Sequence, residues 1–154
     1  MKKFSRPAAS PAGHGTPAGA FGRHIIRMMA ANTGGTFGMF EAVVAPGEGP
    51  PLHVHEREEE FFRVLKGRFG FWCAGDYLEL TAGGCIALPR GIPHRFENIG
   101  SEDGELMVIV TPGGFEAFFP MVELCKPETP EQVAALAGEF GVTFVPAEGQ
   151  EAAA

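Results

Sequence analysis

The chain reads as an all-β protein, a sandwich or barrel of short strands, and three observations predict this. Runs of β-forming residues, such as Phe69-Gly70-Phe71-Trp72-Cys73, Tyr77-Leu78-Glu79-Leu80 and Cys85-Ile86-Ala87-Leu88, recur about every eight to twelve residues with glycine turns between them. Fourteen Phe, one Trp and one Tyr in 154 residues of 45% apolar content supply the interior of one domain. The clearest helix signal is a single solitary segment near the C-terminus.

Residues 1–22 are rich in Pro, Ala and Gly and read as a mobile lead-in, or one laid over a partner subunit, with His14 solvated. Residues 24–29 form the first strand, and Asn32-Thr33-Gly34-Gly35 turns the chain. Residues 37–44 form the next strand, ended by Pro46-Gly47. The histidine-bearing strand His53-Val54-His55 follows. Glu56-Arg57-Glu58-Glu59 is too charged for a buried strand and reads as a turn. Residues 61–65 make a strand with two registers. With Glu60 inward, Phe62 and Val64 line the interior and Arg63 faces out; with Glu59 inward, Arg63 is buried beside any metal ion. The Glu60 register is preferred.

Beyond Gly67 come the three strands quoted above, with turns at Ala74-Gly75-Asp76 and at 81–84. His94-Arg95-Phe96-Glu97-Asn98 alternates, with His94, Phe96 and Asn98 on one face. Residues 99–104 are a loop, and 105–111 an apolar strand buried along most of its length. Residues 115–119 predict a helical turn or two, interrupted near Pro120. Thr129-Pro130-Glu131-Gln132 is a capping box opening a helix that ends near Phe140, before Gly141. Val133, Leu136 and Phe140 share one stripe, so this helix docks. Residues 142–145 predict a last strand and 150–154 a tail. The division expected is a lead-in over 1–22, a barrel over 23–125 and a C-terminal helix and tail over 126–154.

The chemistry concentrates in two stretches. His53 and His55 project to the same side of their strand with Cα atoms roughly 6.7 Å apart, a spacing at which two imidazoles can share an ion. Glu60 supplies a carboxylate. His94 follows Pro89-Arg90-Gly91-Ile92-Pro93, whose prolines and glycine hold a fixed bend. Three imidazoles and one carboxylate suit a first-row transition metal. An isolated His-x-His on a surface strand has no such meaning; the joint pattern does.

Here the sequence resembles the cupin superfamily. The first cupin motif, G, five residues, H-x-H, three or four residues, E, six residues, G, is matched by Gly47, His53, His55, Glu60 and Gly67. The second, G, five residues, P-x-G, two residues, H, three residues, N, is matched by Gly83, Pro89, Gly91, His94 and Asn98. The short gap between motifs is that of small bacterial single-domain cupins. The runs around 49–55 and 108–116 look most like quercetin-dioxygenase-type monocupins. The resemblance implies a double-stranded β-helix, or jelly-roll, barrel with a short C-terminal helical appendage. It also implies a homodimer, for which the lead-in is a plausible exchanged strand.

From these readings we expect His53, His55, Glu60 and His94 to hold one divalent transition metal, with Fe(II) favoured and Mn, Ni, Cu or Zn as alternatives. Glu60 either stays a ligand or swings off the ion to act as the catalytic base, and Phe62, Val64, Phe71 and Phe96 are the candidate lining residues of a substrate pocket. The expected function is a dioxygenase of the quercetin 2,3-dioxygenase kind on a small aromatic or diketone-like substrate. The alternatives are a metal-dependent isomerase or lyase, and a non-catalytic binding or sensor cupin. Arg27 and Arg90 read as surface arginines. A net charge of −7 argues against nucleic acid or an anionic membrane as partner. Cys73, Cys85 and Cys125 form no framework and read as reduced, packed thiols. Met1-Lys2-Lys3 opens like a signal peptide, but residues 8–20 have no apolar core, so the expected location is cytoplasmic.

Overall fold

The computed structural model describes residues 3–146. Eleven strands form two antiparallel sheets. In chain order they are β1 (Thr16–Ala18), β2 (Arg23–Met28), β3 (Gly38–Val44), β4 (His53–His55), β5 (Glu59–Lys66), β6 (Arg68–Cys73), β7 (Asp76–Thr81), β8 (Cys85–Leu88), β9 (His94–Asn98), β10 (Gly104–Thr111) and β11 (Val142–Phe144). One sheet runs β1-β2-β3-β10-β5-β8 and the other β11-β4-β9-β6-β7. Together they make a jelly-roll barrel, with two short helices, α1 (Phe118–Cys125) and α2 (Pro130–Glu139), at its C-terminal side.

Alternation decides what faces the interior. On β3, Gly38, Phe40, Ala42 and Val44 are buried, and the residues between them are half-buried. On β5 the buried set is Glu60, Phe62 and Val64, with Phe61 and Arg63 exposed and Glu59 half-buried. Register then stacks the interior in layers. Glu60 lies opposite Leu88 on one side and Val110 on the other. One layer along, Phe62 pairs with Val108, and Val108 with Phe40. On the facing sheet Phe96 pairs with Phe71.

Several elements differ from the sequence reading. The lead-in is no loose segment over Thr16–Ala18: these residues form an edge strand on the chain's own β2, and Ala18 is buried. Gly19 N–H donates to the Glu123 carboxylate of α1, so the segment is tied down at both its flank and its edge. Pro120 does not interrupt α1. It falls in the first turn, where its missing N–H would have no intrahelical acceptor anyway, and the helix continues to Cys125. The charged run 56–59 does turn the chain, but Glu58 within it is buried. Cys85 and Cys125 are exposed rather than packed, Cys73 is half-buried, and all three are free thiols.

The C-terminal helix is capped as expected, with the Thr129 hydroxyl accepting from Gln132 N–H at 3.2 Å and Gln132 Oε1 accepting from Glu128 N–H at 2.7 Å. Gly141, at φ 74°, ends it and turns the chain into β11. Strand β11 pairs with β4, Val142 opposite His55 and Phe144 opposite His53. The expected tail at 150–154 lies outside the described residues. No helix among them is long and apolar enough to cross a membrane.

Candidate metal centre

Two sheets contribute to one cluster. Strands β4 and β9 lie side by side with His53 directly opposite His94, and His55 follows on the same face of β4. Glu60 comes from β5, across the barrel. One ligand atom from each of His53, His55, Glu60 and His94 lies within 4.8 Å of all the others. The four residues are only 1–7% exposed. Glu59 points the other way and pairs through both carboxylate oxygens with Arg90, 2.7 Å each. The inward carboxylate is therefore Glu60, and Arg63 stays outside.

The loops around the strands set the imidazoles. His53 Nδ1–H donates to the Pro51 carbonyl at 2.7 Å and His94 Nδ1–H to the Ile92 carbonyl at 3.0 Å. His55 Nδ1 faces Glu58 Oε2 at 3.4 Å. Each ring thus has its Nδ1 engaged from outside, which leaves the Nε2 lone pair for the centre. Gly91 adopts φ 76°, a conformation glycine takes without strain, and its N–H donates to the His55 carbonyl at 2.8 Å. The loop that delivers His94 is thereby fastened to the strand that carries the other two imidazoles. Asn98 closes the far end. Its side chain donates to the carbonyls of Val44 and Glu102 and accepts from Gly100 N–H, so this fully buried amide is satisfied within the fold.

The donor set fits a divalent metal ion. His55 Nε2 is buried with no hydrogen-bond partner in the protein, an arrangement that costs free energy unless something occupies the acceptor. Glu60 Oε2 lies 2.8 Å from His94 Nε2 and 3.5 Å from His55 Nε2. Adjacent ligands on an ion with ~2.1 Å bonds sit about 3 Å apart. Burial pushes the His53 imidazole down to about 4, against the opposing pull of Glu60, which keeps it neutral and able to bind metal. Burial alone would raise the Glu60 carboxyl, but the imidazoles of His55, His94 and His53 outweigh it and hold Glu60 below the ordinary carboxylate value. A carboxylate oxygen and three imidazole nitrogens are a donor set that such a cation binds.

The expected pocket residues occupy the layer next to the cluster. Phe62 and Phe96 each stand two residues beyond a cluster member on the same face, and their rings are 5.4 Å apart; Phe71 lies 5.5 Å from Phe62. Val64 is fully buried one layer further in. All four belong to the packed core.

Two residues beside the cluster, Glu58 and Phe115, and a third next to Phe115 in the chain, Glu116, escaped the sequence reading. Glu58 sits behind His55, its charge hidden in a run read as a solvated turn. Phe115 meets the His55 ring edge-on at 4.5 Å. Glu116, completely buried, accepts from the N–H groups of Ala30 and Gly114. The last two follow Thr111-Pro112-Gly113-Gly114, a tight run after a buried strand. That signal places them near the barrel without saying which way they point.

Comparison with known proteins gives the same architecture. Residues 40–110 match the family described as "Cupin domain". "Polyketide synthase CurC" of Streptomyces cyaneus is 32% identical over 80 residues, 52% of this chain and 51% of that one. "Quercetin 2,3-dioxygenase" of Bacillus subtilis is 34% identical over 79 residues, 49% of this chain and 23% of that one. The chain thus spans about half, or less, of the curated relatives' lengths. An RmlC-like cupin from Shewanella frigidimarina superposes with a TM-score of 0.59 at 18% identity, covering 71% of this chain and 95% of that structure. Both motifs fall on the strands and turns that build the cluster, inside the segment that matches the cupin-domain family, and the barrel has the same fold as that RmlC-like cupin.

Proposed function

We propose that the protein is a metal-dependent dioxygenase acting on a small aromatic or diketone-like molecule of the flavonol type, with His53, His55, Glu60 and His94 as ligands and Fe(II) as the favoured ion over Mn, Ni, Cu or Zn. The observation that carries this reading is the buried convergence of three outward-anchored imidazoles, one of them with an unpartnered Nε2, on an ionised carboxylate. The quercetin 2,3-dioxygenase relative supports the reaction class. When bound, the ion would supply a Lewis-acidic, redox-capable centre for a hydroxy-ketone and dioxygen.

The chain's own residues do the rest. Glu60 is the base: its Oε2 takes the proton of the substrate hydroxyl. His53, His55 and His94 act as fixed ligands, their rings oriented by Pro51, Glu58 and Ile92. Phe62 and Phe96 are the apolar floor next to the cluster that favours a flat substrate, with Phe71 and Val64 packed behind them, and Phe115 adds an aromatic edge beside His55. Burial keeps bulk water from the cluster. The three free thiols accord with a reducing, cytoplasmic setting.

The test is elemental analysis of protein purified without chelator, followed by oxygen consumption with flavonols, catechols and β-diketones after loading with Fe(II). Oxygen uptake with ring-opened product supports the reading. Metal-loaded protein that consumes no oxygen with any of them defeats it and leaves isomerase, lyase or non-catalytic binding chemistry. Protein that takes up no divalent ion defeats the metal centre itself.

A further inference from the structure

His94 has two neighbours on the inner face of its sheet. His53 lies directly opposite it on β4, and Cys73 directly opposite it on β6. Residues so placed have Cβ atoms about 4.5–5.5 Å apart, so a thiol stands beside an imidazole of the cluster. Cys73 shares this face with Phe71 and Phe69, the buried aromatics of its own strand. Its sulfur lies outside the four-donor set, and it is half-buried where the four ligands are only 1–7% exposed. In the row His53–His94–Cys73 the thiol is thus the member most open to solvent.

That row runs out at a gap in the wall. Asp76 on β7 lies opposite Cys73, and Leu88 on β8 lies opposite Glu60, so the rows of His94 and Glu60 both end on an edge strand. Strands β7 and β8 close their respective sheets and do not pair with each other. They are joined through a turn at 82–84, where Gly83 and Gly84 hydrogen-bond to Val64 and Gly84 lies against Leu80. Away from that turn Leu78, opposite Phe71, is 51% exposed, and Ile86, opposite Phe62, is half-buried. The inward apolar side chains of β3, β5 and β10 are by contrast 0–8% exposed. Facing sheets bury their inner side chains where they interdigitate, so the exposure of Leu78 marks the place where they part. We propose that a ligand reaches the metal centre through this seam and that Cys73, by setting the width beside His94, determines which ligands fit, a reading that rests on the metal centre proposed above. Cys73, Leu78 and Ile86 make an apolar lining, and a thiol is small and polarisable, which suits the face of a flat, uncharged molecule such as a β-diketone.

Cobalt(II) loaded into the full chain gives a visible spectrum that responds to added ligands, and acetylacetone and azide are the probes, one a flat diketone and the other a thin rod. Wild type is titrated beside Cys73→Trp, Cys73→Ser and Leu124→Trp, the last on the exposed side of α1. In Cys73→Trp the acetylacetone dissociation constant is expected to rise about tenfold or more. Azide in that variant, and both probes in the other two, stay within about threefold of wild type. If Cys73→Trp fails to fold or to take up cobalt, N-ethylmaleimide on cobalt-loaded Cys85→Ser/Cys125→Ser protein places bulk on the same thiol, and the same titrations decide. Acetylacetone binding unchanged by bulk at Cys73 overturns the proposal and leaves the metal centre standing. Azide weakened as much as acetylacetone shows a disturbed ion rather than a narrowed path and also overturns it, as does a cobalt-loaded wild type that answers to neither probe. Wild type that takes up no cobalt defeats the centre and the path together. No readout needs turnover, so the expected titrations without oxygen uptake defeat only the dioxygenase reading.

Discussion

At the scale of single residues, His55 and Glu58 separate two ways of serving a metal. His55 presents a donor atom, and its ring adds little to the apolar core, which rests on Phe, Val and Leu. His55→Ala is therefore expected to remove bound metal while circular dichroism and the unfolding transition keep their form; metal content equal to wild type would refute the ligand assignment. Glu58 would act on a bound ion only through the His55 ring. Replacing it by Gln keeps the shape and removes the charge that orients and enriches the imidazole, so affinity should fall roughly 10- to 100-fold. A competition titration with a chromophoric chelator measures this. An unchanged affinity would mean that the 3.4 Å approach does no orienting.

At the scale of elements, β3 fits closely against the turn after β10. Gly38 lies flat against the Glu116 carboxylate, and a Cβ there would overlap it. Glu116 cannot swing away without abandoning the N–H groups of Ala30 and Gly114. Gly38→Ala should therefore cost about 1–3 kcal/mol, read as a lower urea midpoint with unchanged slope; a neutral outcome would show that Glu116 can relocate. This is also where legibility in the sequence ended. Period-two alternation located the interior of β5 and β9, and the proline and glycine of the second motif announced the bend before His94. Both signals are local. Glu58 and Glu116 look like solvated charges in sequence, because their burial depends on partners 3 to 86 positions away. Pro120 was read as a breaker because its effect depends on where in a helix it falls, and that boundary is set by packing. The edge strand β1 was hidden by its Pro and Ala content, since it is held by pairing with β2 rather than by propensity.

At the scale of the whole molecule, stability follows one buried imidazole outside the metal centre. His24 stacks on Phe119 with ring centroids 3.8 Å apart, and burial lowers its pKa from 6.5 to about 4. Between those values the unfolded chain binds a proton that the folded one refuses. The contribution is thus complete above pH 6.5 and is lost as pH falls towards 4, on the order of 3 kcal/mol in all. Urea unfolding of metal-free wild type and His24→Leu across that window should diverge, with the wild type losing more stability; parallel curves would exclude the effect. His53 shifts in the same direction in both proteins and cancels in the difference. A final consequence lies in the pairing of β11 with β4. The strand carrying two of the imidazoles leaves the ribosome about ninety residues ahead of the segment that hydrogen-bonds along its edge. At 5–20 residues per second that is a wait of roughly 5–20 s, so a nascent chain completes the neighbourhood of its cation only when translation has passed Phe144.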